Sequence, residues 1–290
     1  MSVGAHDGAS DGPDAAGITS RMRHRCVRAV ALLLPRTRRH RPARSPTAPI
    51  PSATPSGTLS SRVLGALDAV YDPELDEPIT ELGFVTSVEV GADGDVEIVL
   101  RLPTPQCAPN FAFLMAADAR DVVRRLPGIR EVKVELEDHY TGEEIGAALA
   151  RGEGFTGAFP GETVDDELAA LRELFRRKAL VARQSRLCET LLAGGATPEE
   201  VIGRRLADLP DVPDARRCLE LRRALGLPHG HDAPAFVLPG GGPLTAAELP
   251  RWLRTARLVR IGLEVNGGIC RSLLQFRHGM AVVDPEEVLR

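Results

Sequence analysis

Val63, Leu64, Leu67 and Val70 recur at three- and four-residue intervals, and this spacing predicts a helix from about Leu59 to Val70. Tyr71-Asp72-Pro73-Glu74 follows, and Pro73 cannot continue such a helix. The period then shortens to two. Phe84–Val90 and Val96–Leu102 alternate apolar with polar residues, and Gly91-Ala92-Asp93-Gly94-Asp95 joins them as a β-hairpin. After the turn Leu102–Pro109, the residues Phe111, Leu114, Met115, Ala119, Val122 and Val123 mark an amphipathic helix that ends before Pro127-Gly128. Ile129, Val132, Val134 and Leu136 read as a third strand, expected beside one of the hairpin strands with helices on one face. Helix, two strands, helix, strand is the order of a compact α+β domain over residues 59–150.

The texture changes after Thr141-Gly142. Glu143–Ala150 reads as a short helix and Gly152–Gly161 as a glycine-rich loop. Thr163 heads a long helix reaching Leu192, Thr197-Pro198-Glu199-Glu200 opens another, and Asp214–Leu225 forms a third. Ala235–Leu238 is a candidate strand and Thr245–Arg254 a helix. Val259–Val265, Asn266-Gly267-Gly268 and Ile269–Phe276 then read as a terminal β-hairpin. The expected fold class is therefore α+β: a small helix-strand-strand-helix-strand domain, then a mainly helical region over 160–290 with a candidate terminal β-hairpin.

Composition narrows the choice of function. Aromatic residues make up only 4% of the chain, so base stacking has little to work with and nucleic acid is not an expected partner. Cys26, Cys107, Cys188, Cys218 and Cys270 are scattered without a CxxC pair, which argues for a reducing cytoplasm and against a self-contained four-ligand metal site. Residues 1–58 carry nine Arg against three Asp and are rich in Pro, Ser and Ala towards their end. They read as a disordered Arg/Pro-rich leader and linker. The apolar patch Val27–Leu34 within them is far too short to span a membrane, and it lacks a small-residue cleavage site.

The candidate chemistry centres on Cys107, placed after a strand and just outside a helix N-terminus. The free N–H groups and partial positive charge there favour a thiolate, which can attack or can hold a soft metal. A lone cysteine at a strand end is also a common buried hydrophobe. Asp72 and Glu74 sit on a loop where carboxylates can ligate iron or simply cap a turn. His139, at the end of the third strand, can reach Cys107 and complete a Cys/His/carboxylate site, or can cap the next helix. His229-Gly230-His231-Asp232 lies in a Pro/Gly loop and reads as solvated. Cys188 and Cys218 fall on amphipathic helices and read as core, and Cys270 reads as a strand residue facing inward.

Asp72-Pro73-Glu74-Leu75, Ile79, Leu82-Gly83-Phe84-Val85, Gly94-Asp95-Val96 and Leu102-Pro103-Thr104-Pro105-Gln106-Cys107 together resemble the SufT/PaaD-like iron–sulfur assembly-factor domain, over roughly residues 59–146. The resemblance implies an α+β fold that helps deliver or insert iron–sulfur clusters into client proteins, with Asp72, Glu74, Thr104 and Cys107 gathered at one site. The family often has Thr-Thr where this chain has Pro103-Thr104, and Pro after the Cys where it has Ala108. A Trp-bearing end in many relatives is replaced here by the His139 segment. One thiolate cannot hold a cluster alone, so the expected cargo is a transient iron–sulfur cluster or iron, completed by a client metalloprotein, a small thiol or a second copy in a homodimer. The resulting expectation is a cytoplasmic iron–sulfur assembly or metalloenzyme-maturation factor acting through Cys107. Two alternatives stay open: a thiol-dependent enzyme pairing Cys107 with His139, and a metal-free interaction adaptor.

Overall fold

A computed structural model of the chain describes residues 58–161 and 165–279. The leader and linker expected before Thr58, Cys26 among them, and the Thr163 helix start lie outside the described residues. Helix α1 (Leu59–Leu67) begins where the Thr58 hydroxyl accepts the Ser61 N–H at 3.3 Å, and it buries Val63 and Leu67. It stops three residues earlier than its apolar spacing suggests, because Val70 belongs to the following turn. Its N–H donates to Leu67 and its carbonyl accepts from Ile79. Strands β1 (Tyr71–Asp72) and β2 (Glu77–Pro78) form a two-residue ladder that closes the Asp72–Asp76 loop.

The main sheet has the order β3 (Val85–Val90), β4 (Asp95–Arg101), β5 (Glu131–Glu137). The hairpin β3–β4 is antiparallel, as its pattern predicts, and β5 joins β4 in parallel, with Val96 opposite Val132 and Leu100 opposite Leu136. A parallel neighbour needs a crossover, and α2 (Pro109–Arg124) supplies it. Period-2 alternation puts Val96, Ile98 and Leu100 with Val132, Val134 and Leu136 on the covered face, beneath α1, α2 and α3 (Gly142–Arg151). The opposite face carries cross-strand charge pairs, Lys133 on Glu97 and Arg101 on Glu137 at 2.6 Å. Gly94 makes the hairpin fit: its φ is +88°, and a Cβ there would lie 2.3 Å from the Gly128 carbonyl.

The rest is helical, as expected. A one-turn helix α4 (Phe155–Ala158) leads to α5 (Asp165–Ala193), α6 (Pro198–Gly203), α7 (Pro213–Ala224) and α8 (Leu249–His278). Thr197 and Glu200 cap α6 reciprocally. Cys188 and Cys218 are fully buried in a second hydrophobic cluster with Leu180, Leu221 and Phe236, consistent with their reading as core. Arg222 is also fully buried there. Its guanidinium donates to the carbonyls of Pro234 at 2.7 Å and Ala235 at 2.6 Å, holding the 228–237 loop.

Two expectations need correction. Ala235–Leu238 is not a strand: Val237 makes only an isolated bridge to Pro243, and its N–H goes to the Gln184 side chain at 2.8 Å. Pro234, Pro239 and Pro243 deny a ladder its donors. The terminal hairpin is instead one continuous helix, α8, running straight through Asn266-Gly267-Gly268. Leu249, Ala256, Leu263, Gly267 and Leu274 form its buried face, a helical period that outweighs the turn signal. Gly267 is buried on that face, where a Cβ would meet only the movable tips of the Glu77 and Arg271 side chains. Among the described residues no helix is long and apolar enough to cross a membrane.

Candidate functional site

The turn between β4 and α2 is closed from several sides. The Cys107 N–H donates to the Thr104 carbonyl at 3.2 Å, and the Tyr140 N–H donates to the Pro105 carbonyl at 3.0 Å. Arg277 on α8 donates to the Pro103 carbonyl at 3.1 Å. Pro109 occupies the first turn of α2, where a missing N–H costs nothing. These bonds hold Cys107 half-buried at the helix entrance, with its sulfur 3.5 Å from the Thr104 hydroxyl.

His139 approaches this turn but meets its backbone. Nε2 lies 2.9 Å from the Cys107 carbonyl oxygen, while Nδ1 accepts the Thr141 N–H at 3.3 Å. That pairing defines the tautomer: Nε2 carries the hydrogen and donates, and Nδ1 is the acceptor. Burial pulls the imidazole below its ordinary pKa, although the bond to the Cys107 carbonyl opposes the shift. A neutral ring with both nitrogens engaged by the backbone orients the cysteine turn. The expected contact between His139 and the sulfur is absent from this arrangement.

Asp72 is almost fully buried. Its Oδ1 accepts the N–H groups of Glu74 at 2.8 Å and Leu75 at 3.0 Å, so the carboxylate shapes its own loop. Burial pushes its pKa up to about 6, against the two backbone N–H groups and with the help of nearby Glu74 and Glu77. Glu74 is half-exposed, and burial raises its pKa too, with Lys178 opposing. Its Oε1 lies 3.4 Å from the Asn266 amide on α8.

Two contributions escaped the sequence reading. Asp76, only 3% exposed, accepts from Arg183 Nε at 2.7 Å on α5 and from Arg217 Nη2 at 2.8 Å on α7. Arg217 also stacks over the Tyr71 ring at 3.4 Å. The loop that carries Asp72 and Glu74 is thereby bolted to the helical region. The second contribution is Cys270. It lies on a helix rather than a strand, half-buried against the same hydrophobic cluster as Cys107. Burial pushes its thiol up to about 12, with Asp72, Cys107 and Glu74 adding to the rise, so those groups lie within electrostatic reach of it. Its signal in the sequence was the helical spacing of Leu263, Gly267, Cys270 and Leu274, which the Asn-Gly-Gly tripeptide masked. His229 and His231 sit on an exposed loop, and among the described residues no three His, Cys, Asp or Glu side chains converge as a metal site.

A three-stranded mixed sheet that presents a cysteine turn at the start of its crossover helix makes a small α+β domain. The family model described as iron-sulfur cluster assembly protein matches residues 60–136. Over 86 residues the chain is 38% identical to the iron-sulfur cluster carrier protein of Mycobacterium tuberculosis, covering 30% of this chain and 22% of that one. It is 36% identical over 74 residues to the Fe-S protein maturation auxiliary factor of Porphyromonas gingivalis, covering 26% of this chain and 69% of that protein. It is 30% identical over 78 residues to the Fe-S protein maturation auxiliary factor YitW of Bacillus subtilis, covering 27% and 74%. The chain belongs to the iron-sulfur cluster assembly protein family through this segment. It spans only about a fifth of the carrier proteins it matches, and residues 137–290 lie outside the family match.

Proposed function

We propose that this protein carries an iron–sulfur cluster, or helps insert one, on its way to a client metalloprotein, with Cys107 as the sulfur that touches the cargo. The observation that carries this reading is the placement of Cys107. Within the family-matched segment it stands half-buried at a helix entrance, on a turn whose carbonyls are tied down by Tyr140, His139 and Arg277. A thiol held this way is positioned before cargo arrives, and soft sulfur suits iron–sulfur species. Thr104 supports the sulfur through its hydroxyl, and Asp72 and Glu74 shape the neighbouring loop. His139 acts as a positioning residue on the Cys107 carbonyl. The cytoplasm, with its reduced thiols, is the compartment this chemistry needs.

The thiol-enzyme alternative gains nothing from the geometry, since a base already committed to backbone partners on both nitrogens does not activate a sulfur. The test is anaerobic reconstitution of the full chain with iron and sulfide. The expected result is visible sulfur-to-iron absorption that Cys107→Ser loses, together with cluster transfer to an apo-ferredoxin acceptor. Equal uptake and transfer by Cys107→Ser, or no uptake by the wild-type chain, overturns the reading.

A further inference from the structure

Helix α8 lies across the cysteine turn, and its contacts fix which of its residues face that turn. Asn266 reaches Glu74 at 3.4 Å, Leu274 is buried in the cluster beneath the sheet, and Arg277 reaches the Pro103 carbonyl at 3.1 Å and Asp138 at 2.8 Å. At 100° per residue, Asn266, Cys270 and Arg277 fall within about 40° of one another around the helix. Cys270 therefore points where its two neighbours on that arc are seen to point, at the Asp72–Glu74 loop and the Leu102–Pro109 turn. Arg271, one residue on, pairs with Glu77, which stands opposite Asp72 in the β1–β2 ladder.

We propose that Cys270 is the second sulfur of the site, so that Cys107 and Cys270 together form a two-thiol seat for a soft cation or for one iron of a cluster. This rests on the carrier reading above and extends it to a residue outside the family-matched segment. Both cysteines are free and half-buried, and both pack on one hydrophobic cluster. As a cation enters, each thiol releases its proton to solvent while a sulfur–metal bond forms, with no change of oxidation state. Among the described residues no three His, Cys, Asp or Glu side chains converge, so two thiols would leave the remaining coordination positions to a client or a small thiol. A two-point grip of this kind holds cargo without trapping it.

The test uses the reduced full-length chain and Cd²⁺, read by sulfur-to-cadmium absorption in the ultraviolet. Cys270→Ser and Cys107→Ser are each expected to lose roughly half of the site's absorption and about tenfold in affinity, a step of about 1.4 kcal/mol. The double variant supplies the baseline for the remaining cysteines. Dibromobimane, which fluoresces on bridging two nearby thiols, gives a readout on the unmutated chain: a Cys107–Cys270 bridged peptide is expected by mass spectrometry. Wild-type cadmium affinity and absorption in Cys270→Ser, or bridging that joins only other cysteines, overturns the inference. Loss of cluster uptake in Cys107→Ser with Cys270→Ser unaffected in both assays sinks the second sulfur alone. Unchanged uptake in Cys107→Ser sinks the carrier reading itself.

Discussion

Asp76→Ala is expected to destabilise the protein by about 3–5 kcal/mol, the usual cost of removing one partner from a buried ion pair. The carboxylate is 3% exposed and serves two arginines at once, Arg183 through Oδ2 and Arg217 through Oδ1. Truncation takes that carboxylate from two guanidinium groups whose side chains are each only 16% exposed. Asp214 still contacts Arg183 at 2.9 Å and Glu220 still contacts Arg217 at 3.1 Å, which keeps the loss towards the lower end of that range. Backbone strain adds to it, because Asp76 has φ of +54°, a conformation that Asp tolerates better than Ala. Urea denaturation of the two proteins measures the difference. A loss under about 1 kcal/mol would place this cluster among ordinary surface pairs. Pairing Asp76→Ala with Arg217→Met in a double-mutant cycle then separates the contact from the strain.

Asp72 is expected to make the fold less stable as pH rises from 4 to 6. Its pKa is 3.8 in the unfolded reference and about 6 in the fold. Between those values the folded chain keeps a proton that the unfolded chain has lost, so raising the pH favours unfolding. The cost is complete above pH 6 and disappears below pH 4. Two pKa units correspond to about 3 kcal/mol. Asp72→Asn keeps an oxygen for the Glu74 and Leu75 N–H groups and removes the ionisation. This variant is expected to be more stable than the parent at pH 7.5 by up to about 3 kcal/mol, and level with it at pH 4. Denaturation midpoints at the two pH values decide it. A parent and variant that keep the same gap at both would show that Asp72 titrates normally.

Local periodicity made the domain around Cys107 legible. Alternation in Val96–Leu102 and Val132–Leu136 set the faces of β4 and β5, and Pro109 with the Phe111–Val123 spacing located α2. Thr104 and Cys107 stand three residues apart in one turn, so their meeting was also local information. Asp76 was invisible for the opposite reason: its partners lie 107 and 141 residues away, and no short pattern announces them. The ring of His139 depended on how two loops close, so the sequence put it near the cysteine without saying which atom it would touch. Asn266-Gly267-Gly268 misled because its local turn chemistry is strong, while the burial of Leu263, Gly267 and Leu274 along one helix face is tertiary.

The thirty residues of α8 make a rod of about 45 Å. Leu249, Trp252 and Leu253 seat its first half in the second hydrophobic cluster, and Cys270 and Leu274 lay its last third over the first. Two adjacent glycines fall at the junction, each weakening helical backbone by roughly 0.5–1 kcal/mol relative to alanine. The rod is thus seated at both ends, with its weakest helical backbone just ahead of Cys270. Arg277, bonded to the Pro103 carbonyl and to Asp138, fastens the last turn beyond that point, so the glycine pair sits between two anchored segments.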